Sequence, residues 1–211
     1  LQHIKRITLL DTEIKTSPLN KELLRQAKQF GFSDKLIAQY NNTSEMVIRQ
    51  QRLAWDIKPV IKQIDTLAGE FNAETNYLYL TYHGSENDIV SSNGFSVIIL
   101  GSGPYCIGSS VEFDWCSVLT SRTLRANDVQ SIIINSNPET VSTDYDESDR
   151  LYFEQLSLER IQDIADFEKP QGIILSVGGQ IANNLALPLY RAGYPILGTS
   201  PNQIDTAENH K

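Results

Sequence analysis

Four short apolar runs in the second half of the chain restrict its fold more than any other feature. Val97-Ile98-Ile99-Leu100, Ser131-Ile132-Ile133-Ile134, Ile173-Ile174-Leu175 and Pro195-Ile196-Leu197 have the length of buried strands, not of helices. Between them the spacing turns helical: from about Ser110 to Ala126, from Leu158 to Glu168, and from Asn183 to Ala192 with a bend at Pro188. In the second of these, Ile161, Ile164 and Ala165 share one face, and Pro170 follows. Apolar strands alternating with helices predict an α/β domain with a doubly wound, mostly parallel sheet. The polar stretch from Asn135 to Asp149 reads as a long loop.

The first half has a different period. Ser17-Pro18 predicts an N-cap followed by proline at the first helical position, where a missing N–H costs nothing. Leu19, Leu23, Leu24, Ala27 and Phe30 then make one stripe, and Gly31 closes it. Ser33 predicts the cap of a second helix carrying Leu36, Ile37 and Tyr40; Ser44 predicts a third carrying Val47, Ile48 and Leu53. The result is a small all-α domain. Tyr77 to Tyr82 is aromatic and extended-looking, and His83 to Gly94 reads as a linker, so the division falls at residue 90: 1–90, then 91–211.

Charge supports two units. Residues 1–90 hold 11 Lys/Arg and 11 Asp/Glu, whereas 91–211 hold 7 against 15, which is the whole net charge of −8. An acidic chain of this kind is a poor general nucleic-acid binder, because neutralising phosphates needs basic groups. No apolar run approaches the roughly 18 residues of a membrane-spanning helix. Cys106 and Cys116 are too few for a disulfide scaffold, which points to a reducing compartment: the cytoplasm, with the mitochondrion the alternative. The start, Leu1-Gln2-His3-Ile4-Lys5-Arg6, has no initiator Met and no leader-like apolar stretch, and reads as part of a longer chain.

Ligands of such a sheet sit at the carboxyl ends of its strands, so chemistry is sought at 101–110, 135–149 and 176–180. Gly101-x-Gly103 allows close approach to an anion at a helix N-terminus. The next glycine is Gly108, however, where a dinucleotide fingerprint needs one at position 106, and no Walker A loop is present. A tight turn is the plainer use of these glycines, and a nicotinamide-dependent enzyme rests on fold analogy alone. Glu112 and Glu139 each follow a strand end and would suit one crevice, where a carboxylate takes a proton or orients a small polar molecule. A solvated carboxylate, or for Glu112 one favoured at a helix N-terminus, is the competing account. The run Asp144, Asp146, Glu147 and Asp149 lacks the glycine and distal glutamate of a calcium loop and reads as a solvated turn. Cys116 is placed in the core and Cys106 in the glycine loop. His3, His83 and His210 have no nucleophile nearby in sequence.

Together these loops resemble one family. Ile99-Leu100-Gly101-Ser102-Gly103, Ile107 to Cys116 with Gly108 and Glu112, Asn137-Pro138-Glu139-Thr140-Val141-Ser142-Thr143-Asp144, Asp149 to Phe153, Gly178-Gly179-Gln180 and Gly198-Thr199-Ser200-Pro201 resemble the large subunit of carbamoyl phosphate synthetase. Lys62 to Thr66 and Thr75 to Tyr79 add to the likeness, and the wording is closest to the eukaryotic branch. The resemblance implies that 1–90 is the end of a helical oligomerisation domain. Residues 91–211 would be the Rossmann-like, pre-ATP-grasp opening of the half that phosphorylates carbamate. It further implies that Glu112 and Glu139 line the tunnel that delivers carbamate, while ATP and Mg²⁺ are held by a nucleotide-grasping region downstream.

The implied partners are the remainder of the synthetase chain and a glutaminase subunit or domain, with self-association through the helices. Neither nucleic acid nor membrane is expected. Two positions depart from the family: Cys106 stands where an arginine lines the tunnel, and His210 where an arginine lies near the nucleotide phosphates. A non-catalytic assembly module derived from the enzyme is the alternative these departures favour. Whether the product feeds arginine, urea or pyrimidine synthesis is left open.

Overall fold

The computed structural model describes residues 1–72, 75–92, 94–105 and 111–208. Its contacts define two compact units, Leu1–Val60 with Thr81–Glu86, and Ile61–Leu80 with Asn87–Lys211.

The first unit is helical: α1 (Gln2–Thr16), α2 (Lys21–Gln29), α3 (Asp34–Tyr40) and α4 (Glu45–Ala54). Ser33 and Ser44 cap α3 and α4 as expected, accepting from the N–H groups of Leu36 and Val47. The start of α2 differs from expectation. Asn20, not Ser17, accepts from Leu23 N, and Ser17 instead ends a preceding helix. That helix is weakly patterned: Leu10 and Ile14 are buried, but Ile4, Ile7 and Leu9 are exposed, which blurs the stripe. Gly31, at φ +86°, follows α2 in the left-handed conformation that favours glycine. Leu10, Ile14, Leu24, Ala27, Ile37 and Ile48 form the core. Within it Asp34 is fully buried between Lys28 Nζ at 2.9 Å and Arg52 Nε at 2.7 Å.

The second unit is built on a seven-stranded sheet of β1 (Val60–Gln63), β2 (Tyr77–Thr81), β3 (Ser96–Leu100), β4 (Gln130–Asn135), β5 (Arg150–Phe153), β6 (Gly172–Ile174) and β7 (Ile196–Leu197). Their order is β1-β2-β5-β4-β3-β6-β7, and the β2–β5, β5–β4, β4–β3, β3–β6 and β6–β7 pairs are parallel. The helices are α5 (Val111–Arg125), α6 (Leu158–Glu168), α7 (Gly179–Asn183), α8 (Ala186–Arg191) and α9 (Pro201–Glu208). Side chains alternate across the sheet. Ile98, Ile132, Ile134 and Ile173 pack with Ile161, Ile164, Ala186 and Leu189; Ile99, Ile133 and Leu151 pack on the other face with Leu124.

The α/β class and parallel sheet are as the apolar runs predict. Three strands lie outside those runs. β1 and β2, in a region read with the helical half, join the sheet through the β2–β5 pair, and Tyr77 meets Phe153 edge-on at 5.2 Å. β5 is only four residues long and opens on Arg150, so it carries no continuous apolar run. The chain steps from β3 outward through β4 to β5, then returns to place β6 on the other side of β3. This makes the carboxyl end of β3 the topological switch point, where open α/β sheets hold their ligands.

Candidate functional site at the strand ends

Three loops leave the sheet around this switch point, and their own side chains bind them together. β3 runs into Gly101, whose N–H still donates to the Ile134 carbonyl at 2.9 Å. β4 ends in Asn135, fully buried after a run of isoleucines. Its Oδ1 accepts from Gly103 N at 3.0 Å and Asn137 N at 3.3 Å, so one oxygen holds both loops. Asn137 Oδ1 in turn accepts from Glu139 N at 3.0 Å.

Two further ties join the same segments. The hydroxyls of Tyr105 and Thr140 are 2.8 Å apart. The buried Asp114 carboxylate accepts from Ser142 N at 3.2 and 3.3 Å, in the 3₁₀ turn Val141–Thr143. The third loop closes on the end of β3 and on α5 through its glycines. A Cβ on Gly178 would stand 2.5 Å from the Leu100 carbonyl oxygen, and one on Gly179, at φ +71°, would stand 3.2 Å from the Phe113 ring.

Glu112 lies exposed in the first turn of α5, and Glu139 lies exposed on the loop after β4. Each is therefore carried by one of the two segments that Asn135, Tyr105–Thr140 and Asp114 fasten. Gln180 donates to Asn184 Oδ1 at 3.0 Å along the helical surface. Cys106, Gly108 and His210 lie outside the described residues.

The close approach expected of Gly101 toward an anion is taken up by the protein itself: a Cβ there would be 2.6 Å from Asn135 Cγ and Nδ2. Gly103, at φ +71°, serves the turn. The N–H groups of both glycines are used inside the protein, by the Ile134 carbonyl and Asn135 Oδ1, and among the described residues no three His, Cys, Asp or Glu side chains come together to hold a metal. Cys116, expected in the core, is exposed, because the buried face of α5 is Asp114, Ser117, Val118 and Ser121. The acidic run divides: Asp144 and Asp146 are solvated, but Glu147 is buried against Arg122, with Nε to Oε2 at 2.9 Å. That contact holds the Glu147 carboxyl below its ordinary pKa, with burial opposing it. Asp149 Oδ2 accepts from Ser131 N at 2.8 Å and anchors the loop to β4. Farther away, burial raises the Glu154 carboxyl and the Tyr152 phenol.

Asn135, Asp114, Tyr105 and Thr140 are the residues that sequence reasoning did not single out as a set. The available signal was a polar residue ending an otherwise apolar strand, at Asn135, and an acid two positions beyond Glu112.

A doubly wound parallel domain whose glycine and Asn-Pro-Glu loops meet at the switch point has the form of a pre-ATP-grasp domain, and the comparisons agree. Residues 93–206 match the carbamoyl phosphate synthase preATP-grasp domain, and residues 1–56 match the carbamoyl-phosphate synthetase large chain oligomerisation domain. The chain is 55% identical over 201 residues to the multifunctional protein pyrABCN of Emericella nidulans, covering 95% of this chain and 9% of that one. It is 53% identical over 212 residues to the mitochondrial carbamoyl-phosphate synthase (ammonia) of Rattus norvegicus, covering 99% of this chain and 14% of that one. The multifunctional protein URA2 of Saccharomyces cerevisiae is 56% identical over 187 residues, 89% of this chain and 8% of that one. The chain belongs to the carbamoyl phosphate synthase large-chain family. It spans about a tenth of the length of these curated relatives. No helix among the described residues is long and apolar enough to cross a membrane.

Proposed function

We propose that these residues work within an ATP-dependent ligase that makes carbamoyl phosphate from bicarbonate, ammonia or glutamine, and ATP. Residues 1–90 are the end of the oligomerisation domain and its linker, and residues 91–211 are the pre-ATP-grasp subdomain of the carbamate-phosphorylating half. Glu112 and Glu139, with Cys106, form part of the wall of the carbamate tunnel, and His210 lies toward the nucleotide. The observation that carries this reading is the fastening of the two glutamate-bearing segments to each other at the switch point.

Asn135 and the Leu100 and Gly101 carbonyls fill the space beside Gly101 and Gly178, so these two glycines offer ATP–Mg²⁺ no open approach on that side. The nucleotide and metal belong to other residues of the synthetase, and the 211-residue chain alone gives no carbamoyl phosphate. Its contribution is a fixed polar wall that keeps bulk water from a labile intermediate. Its partners are the rest of the synthetase and a glutaminase subunit or domain, in the cytoplasm or the mitochondrion. Self-association runs through the helical unit. Cys106 and His210, where the family has arginines, favour a second reading as a non-catalytic assembly module.

The test is the coupling of ATP hydrolysis to product in the full-length protein. Glu139→Gln and Glu112→Gln should each raise the ATP consumed per carbamoyl phosphate formed while ATP hydrolysis persists. Unchanged coupling in both contradicts the tunnel wall, and a full-length protein that makes no carbamoyl phosphate favours the assembly module.

A further inference from the structure

We propose that Asn135 is the positioning residue of the two tunnel glutamates, with Asp114 as its counterpart on α5; this inference rests on the tunnel reading above. Asn135 touches neither glutamate. It acts through backbone: its Oδ1 fixes Gly103 on the segment leading to Glu112, and Asn137 on the segment leading to Glu139. The second step repeats the first, since Asn137 Oδ1 holds the N–H of Glu139 itself. Asp114, two residues past Glu112, reaches across to Ser142, three residues past Glu139. Glu139 thus sits between two ties, and Glu112 lies two residues before the Asp114 tie, so loss of these ties alters the spacing of the carboxylates.

Packing alone does not call for an asparagine at this position. The site is fully buried, and its Nδ2 has no hydrogen-bond partner among the described residues, a cost that an apolar side chain of similar volume would avoid. What leucine cannot supply is the oxygen shared by two loops. Gly101 is the complementary half of the device, because any Cβ there would push the asparagine off its two N–H groups. Asn135→Leu therefore removes the clamp while filling the space, and Asn135→Asp keeps the acceptor. On α5, Asp114→Asn keeps an oxygen for Ser142 N, whereas Asp114→Ala does not.

The experiment uses the full-length synthetase and two readouts on each variant: hydrogen exchange of the peptides covering 101–105 and 136–143, and ATP consumed per carbamoyl phosphate. In Asn135→Leu and Asp114→Ala, exchange in the loop peptides should quicken roughly tenfold with that of 130–134 unchanged, as expected for loss of one or two buried hydrogen bonds. The ATP ratio should rise in the same variants, and Asn135→Asp and Asp114→Asn should restore both. Unchanged loop exchange in Asn135→Leu overturns the clamp. Faster exchange with an unchanged ratio, in an enzyme whose ratio does respond to Glu139→Gln, reduces Asn135 to a scaffold role and overturns the positioning. If neither glutamate variant moves the ratio, the tunnel reading fails and takes this inference with it; faster loop exchange in Asn135→Leu would mark that as the failure of the reading and not of the clamp.

Discussion

Glu147 shows how a single charge is held between α5 and the loop that joins β4 to β5. Arg122 lowers its pKa, so between the folded and unfolded values the unfolded chain binds more protons, and stability rises with pH across that window. The contribution is complete above the unfolded carboxylate range and is lost as pH falls through the lowered folded value. Glu147→Gln should therefore reduce stability at neutral pH and cost progressively less in acid, read as urea midpoints across the acid range. An equal loss at every pH would rule out the ion pair as the source. Gly178 is bound by space instead: a Cβ 2.5 Å from a backbone carbonyl cannot be relieved by a side-chain rotation. Gly178→Ala should cost roughly 1–3 kcal/mol in denaturant unfolding. The glycines were legible as a close approach, but what approaches them was not. Asn135 is 34 positions from Gly101, and only the parallel register of β3 on β4 sets them side by side.

At the scale of elements, local chemistry was read well where one residue does the work. Ser33 and Ser44 each cap the helix that follows because a hydroxyl before an apolar stripe satisfies an otherwise orphaned N–H. The same physics misplaced the start of α2, since Ser17 and Asn20 are both good caps and only the end of α1 decides between them. Asn20→Ala should cost about 1 kcal/mol of the helical unit's stability, and Ser17→Ala much less. β5 was invisible for a different reason: its place in the sheet comes from pairing with both β2 and β4, not from its own composition. The buried Lys28–Asp34–Arg52 group links α2, α3 and α4 and has no periodic signature either. Asp34→Ala removes the carboxylate that two buried cations share, and should destabilise the helical unit by about 3–5 kcal/mol. A loss under about 1 kcal/mol, measured by denaturant titration, would show that those cations escape to water.

For the whole molecule, charge and hydrophobic period predict a helical part followed by a sheet part, but residues 61–80, read with the helices, belong to the sheet unit, because β2 finds its place only by pairing with the distant β5. What the sequence held only through resemblance was purpose, because a fold of this class hosts many chemistries. The central claim is that this stretch serves inside a far larger synthetase. It is tested most directly by the mass of the native polypeptide, detected in denatured source-cell extract with an antibody against residues 95–150. The chain weighs 23.7 kDa and aligns to 8–14% of its relatives' lengths, so a band at roughly 170–260 kDa is the expected result. A single band near 24 kDa, the mass of these residues alone, would contradict the account and leave the assembly module in its place.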